Sequence, residues 1–240
     1  MDLSDPTRSV TPTLDGAVLV VLATAGRPLT VGQVAKHAAR GSEIGIRRSL
    51  ARLVEQGIVR ATLMGRNQVH VLNRDHVAAS VAVALAGLRM ELWRRFRDEL
   101  AEWRPRPLFA SVFGSAARGD GDESSDIDLL LVHPPFRGET KPARMSPALR
   151  SQIADALGNF AVSSPEIDAA SQWEGQIDHL RDLVEGWTGN RLQVIDLSFN
   201  DWRRPNGQSR LLFAEIEADG VELIKSRALS LWPSVKAADG

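Results

Sequence analysis

The stretch from residue 112 to 132 constrains the fold and function of this chain more than any other. An apolar run of strand length ends in Gly114 and Ser115, a loop of small and acidic residues follows, and a second apolar run carries Asp126 and Asp128. This pattern predicts a buried strand, a turn and a second strand. Because successive side chains of a strand alternate between its faces, we expect both aspartates on one face of the second strand.

The residue types in this stretch predict phosphate and metal chemistry. Gly114 permits a tight turn with close backbone approach to a ligand. Ser115 stands at the predicted start of a short helix, where free N–H groups favour an anion such as a triphosphate. Two carboxylates on an apolar strand are costly unless a cation neutralises them, and Mg²⁺ prefers carboxylate oxygens together with substrate phosphates.

A third carboxylate on a neighbouring strand would complete a site for two metal ions, which activate an attacking oxygen and stabilise a leaving pyrophosphate. The apolar run at residues 191–199 contains one acid, Asp196, and follows a turn-like segment. Asp196 is therefore the predicted third carboxylate.

The segment FGSAARGDGDESSDIDLLLV resembles the signature of the DNA polymerase beta-type nucleotidyltransferases, most of all their minimal nucleotidyltransferase branch. The resemblance covers about residues 106–225. It implies a Mg²⁺- or Mn²⁺-dependent enzyme that transfers a nucleoside monophosphate from an NTP, such as ATP, to an acceptor hydroxyl. It also assigns the residues: Asp126, Asp128 and Asp196 as catalytic metal ligands, with Asp196 linked to activating the acceptor, and Gly114, Ser115 and Arg118 as nucleotide-binding residues.

The branch is similar to components of toxin–antitoxin modules, in which the acceptor is a partner protein or the end of a tRNA. Antibiotic nucleotidylation is a further activity of the family. A retained but inactive fold stays open as an alternative, because a motif match alone does not establish activity.

Upstream, residues 14–74 are predicted to form three short helices followed by a hairpin, the element order of a winged helix-turn-helix. The run LTVGQVAKHAARGSEIGIRRSLARLVEQGIVR resembles small bacterial transcription regulators of that type. In such domains the third helix enters the major groove of DNA and the wing contacts the backbone or minor groove. The implied DNA-binding residues are Ser42, Glu43, Arg47, Arg48, Arg52, Arg60, Arg66 and Asn67.

Two alternatives stay open for this N-terminal region. The arginines are also explained as a solvated helix face on a protein-docking module. Alternatively, the whole chain is a DNA-binding regulator whose nucleotidyltransferase-like domain only senses nucleotide.

The sequence thus predicts an α+β chain in which a winged helix precedes a nucleotidyltransferase domain with a mixed sheet and flanking helices. We expect a loose leader at residues 1–13, a long connecting helix at 75–104, the transferase domain at 105–226 and a loose tail at 227–240. The helix is interpreted as a connector, with a homodimerisation helix as the alternative.

Composition excludes some classes of protein. The formal net charge is −1, so any nucleic-acid surface must be local. There is no cysteine, which excludes disulfides and thiolate metal sites. No apolar run approaches the roughly 20 residues of a membrane span, and the N-terminus lacks the pattern of a signal peptide. We therefore expect a cytoplasmic protein with no membrane partner, and the five histidines show no metal-ligand spacing.

Overall fold

The computed structural model describes residues 1–136, 147–158, 168–203 and 207–224. The predicted loose tail at 227–240 lies outside these residues. The chain divides into two compact units between Leu92 and Trp93. This division falls earlier than the boundary expected near residue 104, because the helix expected to be a connector contributes its C-terminal part to the second unit.

The N-terminal unit is mainly helical, with one small antiparallel sheet in the strand order β1-β3-β2. A short 3-10 helix, Pro6–Ser9, comes first. The elements that follow are α1 (Asp15–Thr24), β1 (Leu29–Thr30), α2 (Val31–His37), α3 (Glu43–Glu55), β2 (Val59–Met64), β3 (Asn67–Leu72) and α4 (Ala79–Ala86).

Local sequence signals account for the helix starts and the hairpin. Thr30 and Gln33 form a capping box at the start of α2. The Thr30 side chain accepts a hydrogen bond from the N–H of Gln33, and the Gln33 side chain accepts one from the N–H of Thr30. Ser42 caps α3 by accepting a hydrogen bond from the N–H of Gly45 at 3.2 Å. Gly65 adopts a φ of 61° in the turn between β2 and β3. The apolar faces of these elements pack into one core, centred on Val18, Leu22, Val34, Ile46, Leu50 and Val59.

The N-terminal leader is packed, contrary to the loose segment that its polar composition predicts. Leu3 is fully buried, and Asp2 and Asp5 are buried as well. The Asp2 carboxylate accepts a hydrogen bond from the N–H of Asp5 at 3.0 Å. Nε of Arg40 lies 2.5 Å from Oδ2 of Asp5, and the same guanidinium donates to backbone carbonyls of the leader. The prediction missed this order because Arg40 is distant in sequence.

The long helix expected over residues 75–104 is two helices. Residues 73–78 form a turn, α4 ends at Ala86, and α5 (Leu88–Glu102) follows after Gly87. The N–H of Gly87 donates to the carbonyls of Val83 and Ala84 at 3.1 and 3.0 Å, as at a helix C-terminus. Glycine is a poor helix former, and here it separates the two segments. None of the helices among the described residues is long and apolar enough to span a bilayer.

The C-terminal unit contains a four-stranded mixed sheet with helices on both faces, which confirms the predicted α+β class and mixed sheet. Its strand order is β6-β5-β4-β7. The elements after α5 are β4 (Phe109–Phe113), α6 (Gly114–Arg118), β5 (Ile127–His133), α7 (Pro147–Leu157), α8 (Ala169–Thr188), β6 (Leu192–Ser198), α9 (Phe199–Arg203), α10 (Gly207–Asp219) and β7 (Val221–Ile224).

Strand register decides which side chains share a face of this sheet. β5 runs antiparallel to β4 and parallel to β6, and Asp128 is in register with Phe113 on one side and Gln193 on the other. The face that carries these residues packs on α9 and α10 through Phe109, Leu130, Val132, Trp202, Phe213 and Ile216. The opposite face lies against α8, whose buried apolar side chains are Trp173, Ile177, Leu180 and Val184.

Candidate active site

Gly114 follows β4 and brings the backbone directly against one of the predicted metal ligands. Its φ of 67° lies in the left-handed region, which glycine adopts without steric cost. A Cβ at this position would lie 2.5 Å from Oδ2 of Asp128, so a side chain would displace the carboxylate. Position 114 therefore requires glycine both for its backbone conformation and for the closeness of Asp128.

The loop between α6 and β5 folds on its own polar groups. Gly119 has a φ of 76°, and its N–H donates to the carbonyl of Ser115 at 2.8 Å. The Asp122 carboxylate accepts hydrogen bonds from the N–H and hydroxyl of Ser124 at 2.9 and 2.8 Å, and from the hydroxyl of Ser125 at 2.9 Å. These hydrogen bonds hold the pKa of Asp122 below its ordinary value, and the bond from the Ser124 side chain has the largest effect. The loop is therefore structured immediately before the aspartate pair.

Asn190, buried in the turn between α8 and β6, is a positioning residue that sequence reasoning missed. Its Nδ2 donates to the carbonyl of Ser125 at 2.9 Å and to that of Asp122 at 3.4 Å. These bonds tie the start of β6 to the residue that precedes Asp126. A turn asparagine was visible in the sequence, but its partners are more than sixty residues away.

Asp126 and Asp128 lie on one face of the sheet, as predicted, and both are half-buried. Desolvation raises the pKa of Asp128 above its ordinary value of 3.8, and the charges of Asp126 and Glu215 raise it further. The charge of Arg118 acts in the opposite direction but does not cancel these effects. Negative charge at the pair therefore exceeds what the neighbouring side chains neutralise, so the site favours a cation.

Arg118, a predicted nucleotide-binding residue, is exposed and held by carboxylates. Its Nε lies 3.2 Å from Oδ2 of Asp120, and its Nη1 lies 3.2 Å from Oε1 of Glu215. To contact a phosphate, the guanidinium would exchange these exposed partners, which costs little for surface ion pairs. Sequence reasoning missed Glu215, because nothing local separates it from the other acids of α10.

Gln193 is the residue of β6 that faces the aspartate pair. It is in register with Asp128, and its Nε2 donates to Oδ2 of Asp126 at 2.6 Å. Sequence reasoning missed this residue too, because an exposed glutamine on an edge strand carries no motif. Gln193 lies beside the aspartate pair only because β5 pairs with β6 in this register.

Asp196, the predicted third carboxylate, lies on the opposite face of the sheet. It is in register with Leu131, and side chains alternate along a strand, so it points away from the face of Asp128. Its Oδ2 accepts a hydrogen bond from Nε1 of the buried Trp173 at 2.9 Å. The expected three-carboxylate site is thus corrected to a pair, because the sheet separates Asp196 from it.

The environment of Asp196 is that of a structural residue. Asp196 as a whole residue is exposed to solvent. The surrounding protein nevertheless partly desolvates its carboxylate, which raises the pKa of Asp196. The electrostatic interaction with His133 and the Trp173 hydrogen bond lower the pKa of Asp196 and only partly offset this desolvation. The hydrogen bond anchors the indole of Trp173, which packs edge-on against Trp103 with ring centroids 5.2 Å apart.

The aspartate pair fits one Mg²⁺ better than a complete two-metal cage. Within the described ranges, no three His, Asp or Glu side chains gather into a group able to hold a metal ion. Mg²⁺ is commonly bound by one or two carboxylates plus substrate phosphates, not by a site made only of protein groups. Asp126 and Asp128, with their uncompensated charge, supply that carboxylate component.

The eight predicted DNA-binding residues are all exposed, on α3, its N-cap and the hairpin of β2 and β3. Three of the five arginines have acidic partners: Arg47 with Glu43 at 3.1 Å, Arg52 with Asp15, and Arg60 with Asp75 at 2.7 Å. Among the residues that the structure describes, Arg48 and Arg66 make no ion pair. Much of the expected positive charge is therefore neutralised within the unit.

Residues 93–178 match a family model described as a nucleotidyltransferase domain. The match begins where the C-terminal unit begins, and it includes Gly114, Ser115 and the aspartate pair but ends before β6. No curated protein matches the chain. The C-terminal unit therefore contains a segment similar to a nucleotidyltransferase domain, which supports nucleotidyl transfer as its general activity.

Proposed function

We propose that the C-terminal unit is a Mg²⁺-dependent enzyme that transfers a nucleoside monophosphate from an NTP to an acceptor hydroxyl on a protein or an RNA end. The observation that carries this proposal is the pair Asp126 and Asp128, side by side on one sheet face with their charge uncompensated, beside the glycine turn at Gly114. An acid with a raised pKa, such as Asp128, beside a second acid is typical of functional sites.

In the proposed reaction, the acceptor oxygen forms a bond to the α-phosphorus while the bond from that phosphorus to the oxygen bridging to the β-phosphate breaks. Pyrophosphate leaves with the bridging oxygen, and the proton of the acceptor hydroxyl passes to solvent. Asp126 and Asp128 would hold Mg²⁺, which when bound offsets the charge of the triphosphate and of the leaving pyrophosphate. Gly114 lets the backbone approach the phosphates, and the hydroxyl of Ser115 is a hydrogen-bond donor at the same turn. Asp196 has no part in this chemistry.

The test is label transfer with the full chain, Mg²⁺, a cell extract and each NTP labelled at the α-phosphate. We expect labelled protein or RNA with the α label and none with a γ label, because the pyrophosphate leaves. Asp128→Asn removes the activity, and Asp196→Asn, the same change on the opposite face of the sheet, keeps it. Transfer that survives Asp126→Asn and Asp128→Asn would contradict the proposal.

We also propose that the N-terminal unit is a winged helix that binds duplex DNA. The order of three helices and a hairpin and the exposure of α3 support this proposal, and Arg48 and Arg66 provide charge without an internal partner in the described part of the chain. A protein-docking module is the competing function, favoured by the internal ion pairs of Arg47, Arg52 and Arg60.

Gel-shift titrations over a range of salt concentrations separate these two functions. DNA binding predicts affinity that falls steeply with salt and is lost in Arg48→Ala combined with Arg66→Ala. The matched control is Arg27→Ala, which removes an arginine from the connection between α1 and β1. Equal affinity for all duplexes and no effect of the double substitution would favour docking. A change in DNA affinity on adding NTP, without any label transfer, would instead favour a nucleotide-sensing regulator.

A further inference from the structure

The position on β6 that faces the aspartate pair holds an amide instead of a carboxylate. Gln193 is in register with Asp128, and the hydrogen bond from its Nε2 to Oδ2 of Asp126 is 2.6 Å long. On β6, position 193 is the one in register with Asp128. The side chains of the residues directly before and after it point to the other face of the sheet. Gln193 therefore occupies the position of β6 from which a carboxylate would join the aspartate pair.

The other nearby acids do not take over this place. Asp196 is three residues further along β6, on the opposite face, with its carboxylate bonded to Trp173. Glu215 of α10 influences Asp128 through its charge, but its Oε1 is paired with Arg118 at 3.2 Å. The absence of a three-acid group among the described residues agrees with this arrangement.

A neutral amide also acts on Asp126 directly. As an N–H donor, Gln193 restrains one carboxylate oxygen, and Asp126 lies just before β5, where the strand alone does not fix its side chain. A carboxylate at position 193 would instead repel Asp126 and add a negative charge. Coulomb energies between charges this close are large enough to change ion affinity by orders of magnitude.

We propose that Gln193 is a positioning residue that orients Asp126 and keeps the site at two carboxylates, so that the divalent cation binds only together with the phosphates of the nucleotide. This inference rests on the proposed function, because it concerns the same site. The protein would accordingly hold its metal ion weakly when no NTP is present. Phosphate oxygens would complete the coordination that the two aspartates leave unfinished.

Water-proton relaxation enhancement with Mn²⁺ tests this, because it rises when Mn²⁺ becomes bound to the slowly tumbling protein. We expect strong enhancement for the wild-type chain only when a non-hydrolysable NTP analogue is present. Gln193→Glu should bind Mn²⁺ without nucleotide, with affinity raised about tenfold or more. Gln193→Met, of similar size but without the N–H donor, loses one hydrogen bond and should weaken binding in the presence of the analogue by about threefold. Its circular dichroism spectrum at the assay temperature should remain that of the folded protein.

Asp196→Asn is the matched control, because it changes the charge of the same strand on the opposite face and should leave Mn²⁺ binding unaltered. Tight Mn²⁺ binding by the wild-type chain without nucleotide, or no gain in Gln193→Glu, would overturn the role of Gln193 and leave the transfer activity standing. No enhancement in any variant, even with the NTP analogue, would overturn the proposed metal-dependent transfer itself.

Discussion

The two units treat their charged side chains differently. In the N-terminal unit, charges at structural positions are paired with opposite charges: Arg40 with Asp5, Arg52 with Asp15, and Arg60 with Asp75. In the C-terminal unit, Asp126 and Asp128 lie on one face of the sheet, and desolvation followed by the charge of Asp126 raises the pKa of Asp128. These three arginines are paired internally, whereas the two aspartates keep a charge that a ligand would neutralise.

This contrast supports the proposed location of the chemistry in the chain. Internal pairing stabilises the fold and reduces the charge available to a partner, as for Arg47 and Arg52 of α3. Uncompensated charge costs folding free energy and is retained at functional sites, where a ligand supplies the missing partner. The position of the unpaired acids is therefore better evidence for function than the number of charges.

The largest expected effect is on activity at the aspartate pair. Asp128→Asn should lower nucleotidyl transfer by on the order of 10³-fold, because the metal ion of the proposed reaction would contribute several kcal/mol to transition-state stabilisation. The rate of α-label transfer at saturating Mg²⁺ and NTP measures it. Arg52→Ala, which breaks an ion pair of the N-terminal unit, should leave that rate unchanged. A similar loss in both variants would break the comparison between the units.

Next comes a comparison of two left-handed glycines, one chosen from each unit. Gly114→Ala should cost about 1–3 kcal/mol of folding stability and lower transfer by about 10²-fold, because its Cβ collides with Asp128. The Cβ added by Gly65→Ala would have no atom within 4 Å, so this variant has only the backbone strain of a φ of 61°. Its expected cost is about 1 kcal/mol, with no effect on transfer. Thermal unfolding and label transfer of the two variants separate the effect of backbone strain from that of the contact between the added Cβ and Asp128.

The internal ion pairs of the N-terminal unit should differ in strength according to burial. Arg40→Ala leaves the buried Asp5 without its partner and should cost about 2 kcal/mol, between the values for exposed and fully buried pairs. Arg47→Ala removes an exposed pair and should cost less than about 0.5 kcal/mol. Chemical unfolding followed by far-ultraviolet circular dichroism measures both. Equal costs would mean that the burial of Asp5 does not strengthen its ion pair with Arg40.

The smallest effects are pH shifts of opposite sign in the two units. Desolvation lowers the pKa of the buried His70, and the hydrogen bond with the backbone of Leu29 offsets this only partly. The folded N-terminal unit then binds fewer protons than the unfolded chain, so its stability should fall as the pH drops below 6.5. Asp128 behaves in the opposite way: its cost is present above its raised pKa and is relieved as the pH falls through that pKa towards 3.8.

The aromatic composition allows these shifts to be assigned to each unit. All six tryptophans lie at or after Trp93, and the chain has no tyrosine, so tryptophan fluorescence reports on the C-terminal unit alone. His70→Gln should remove the acid-dependent loss seen by circular dichroism, while substitution of the exposed His37 should not. Asp128→Asn should raise the fluorescence-detected unfolding midpoint at neutral pH, and this gain should disappear below 3.8. A gain that persists at low pH would have another cause than the carboxylate charge.

Local signals in the sequence were enough to locate most of the elements and the centre of the site. The caps at Thr30 and Ser42, the turn at Gly114 and the alternation of Asp126 and Asp128 each depend on residues a few positions apart. Local interactions of this kind are encoded within a short window of the chain, so they can be predicted without knowing the tertiary structure.

Only the tertiary structure decided which residue of β6 joins the aspartate pair. Alternation alone states that Gln193 and Asp196 point to opposite faces, but not which face meets Asp128. That depends on the register of β5 with β6, where a shift of one residue would reverse every side chain. The contacts of Arg40 with the leader and of Asn190 with the loop before Asp126 also join residues that are distant in sequence. The sequence alone determined which chemical groups are present, and long-range pairing decided which of them meet.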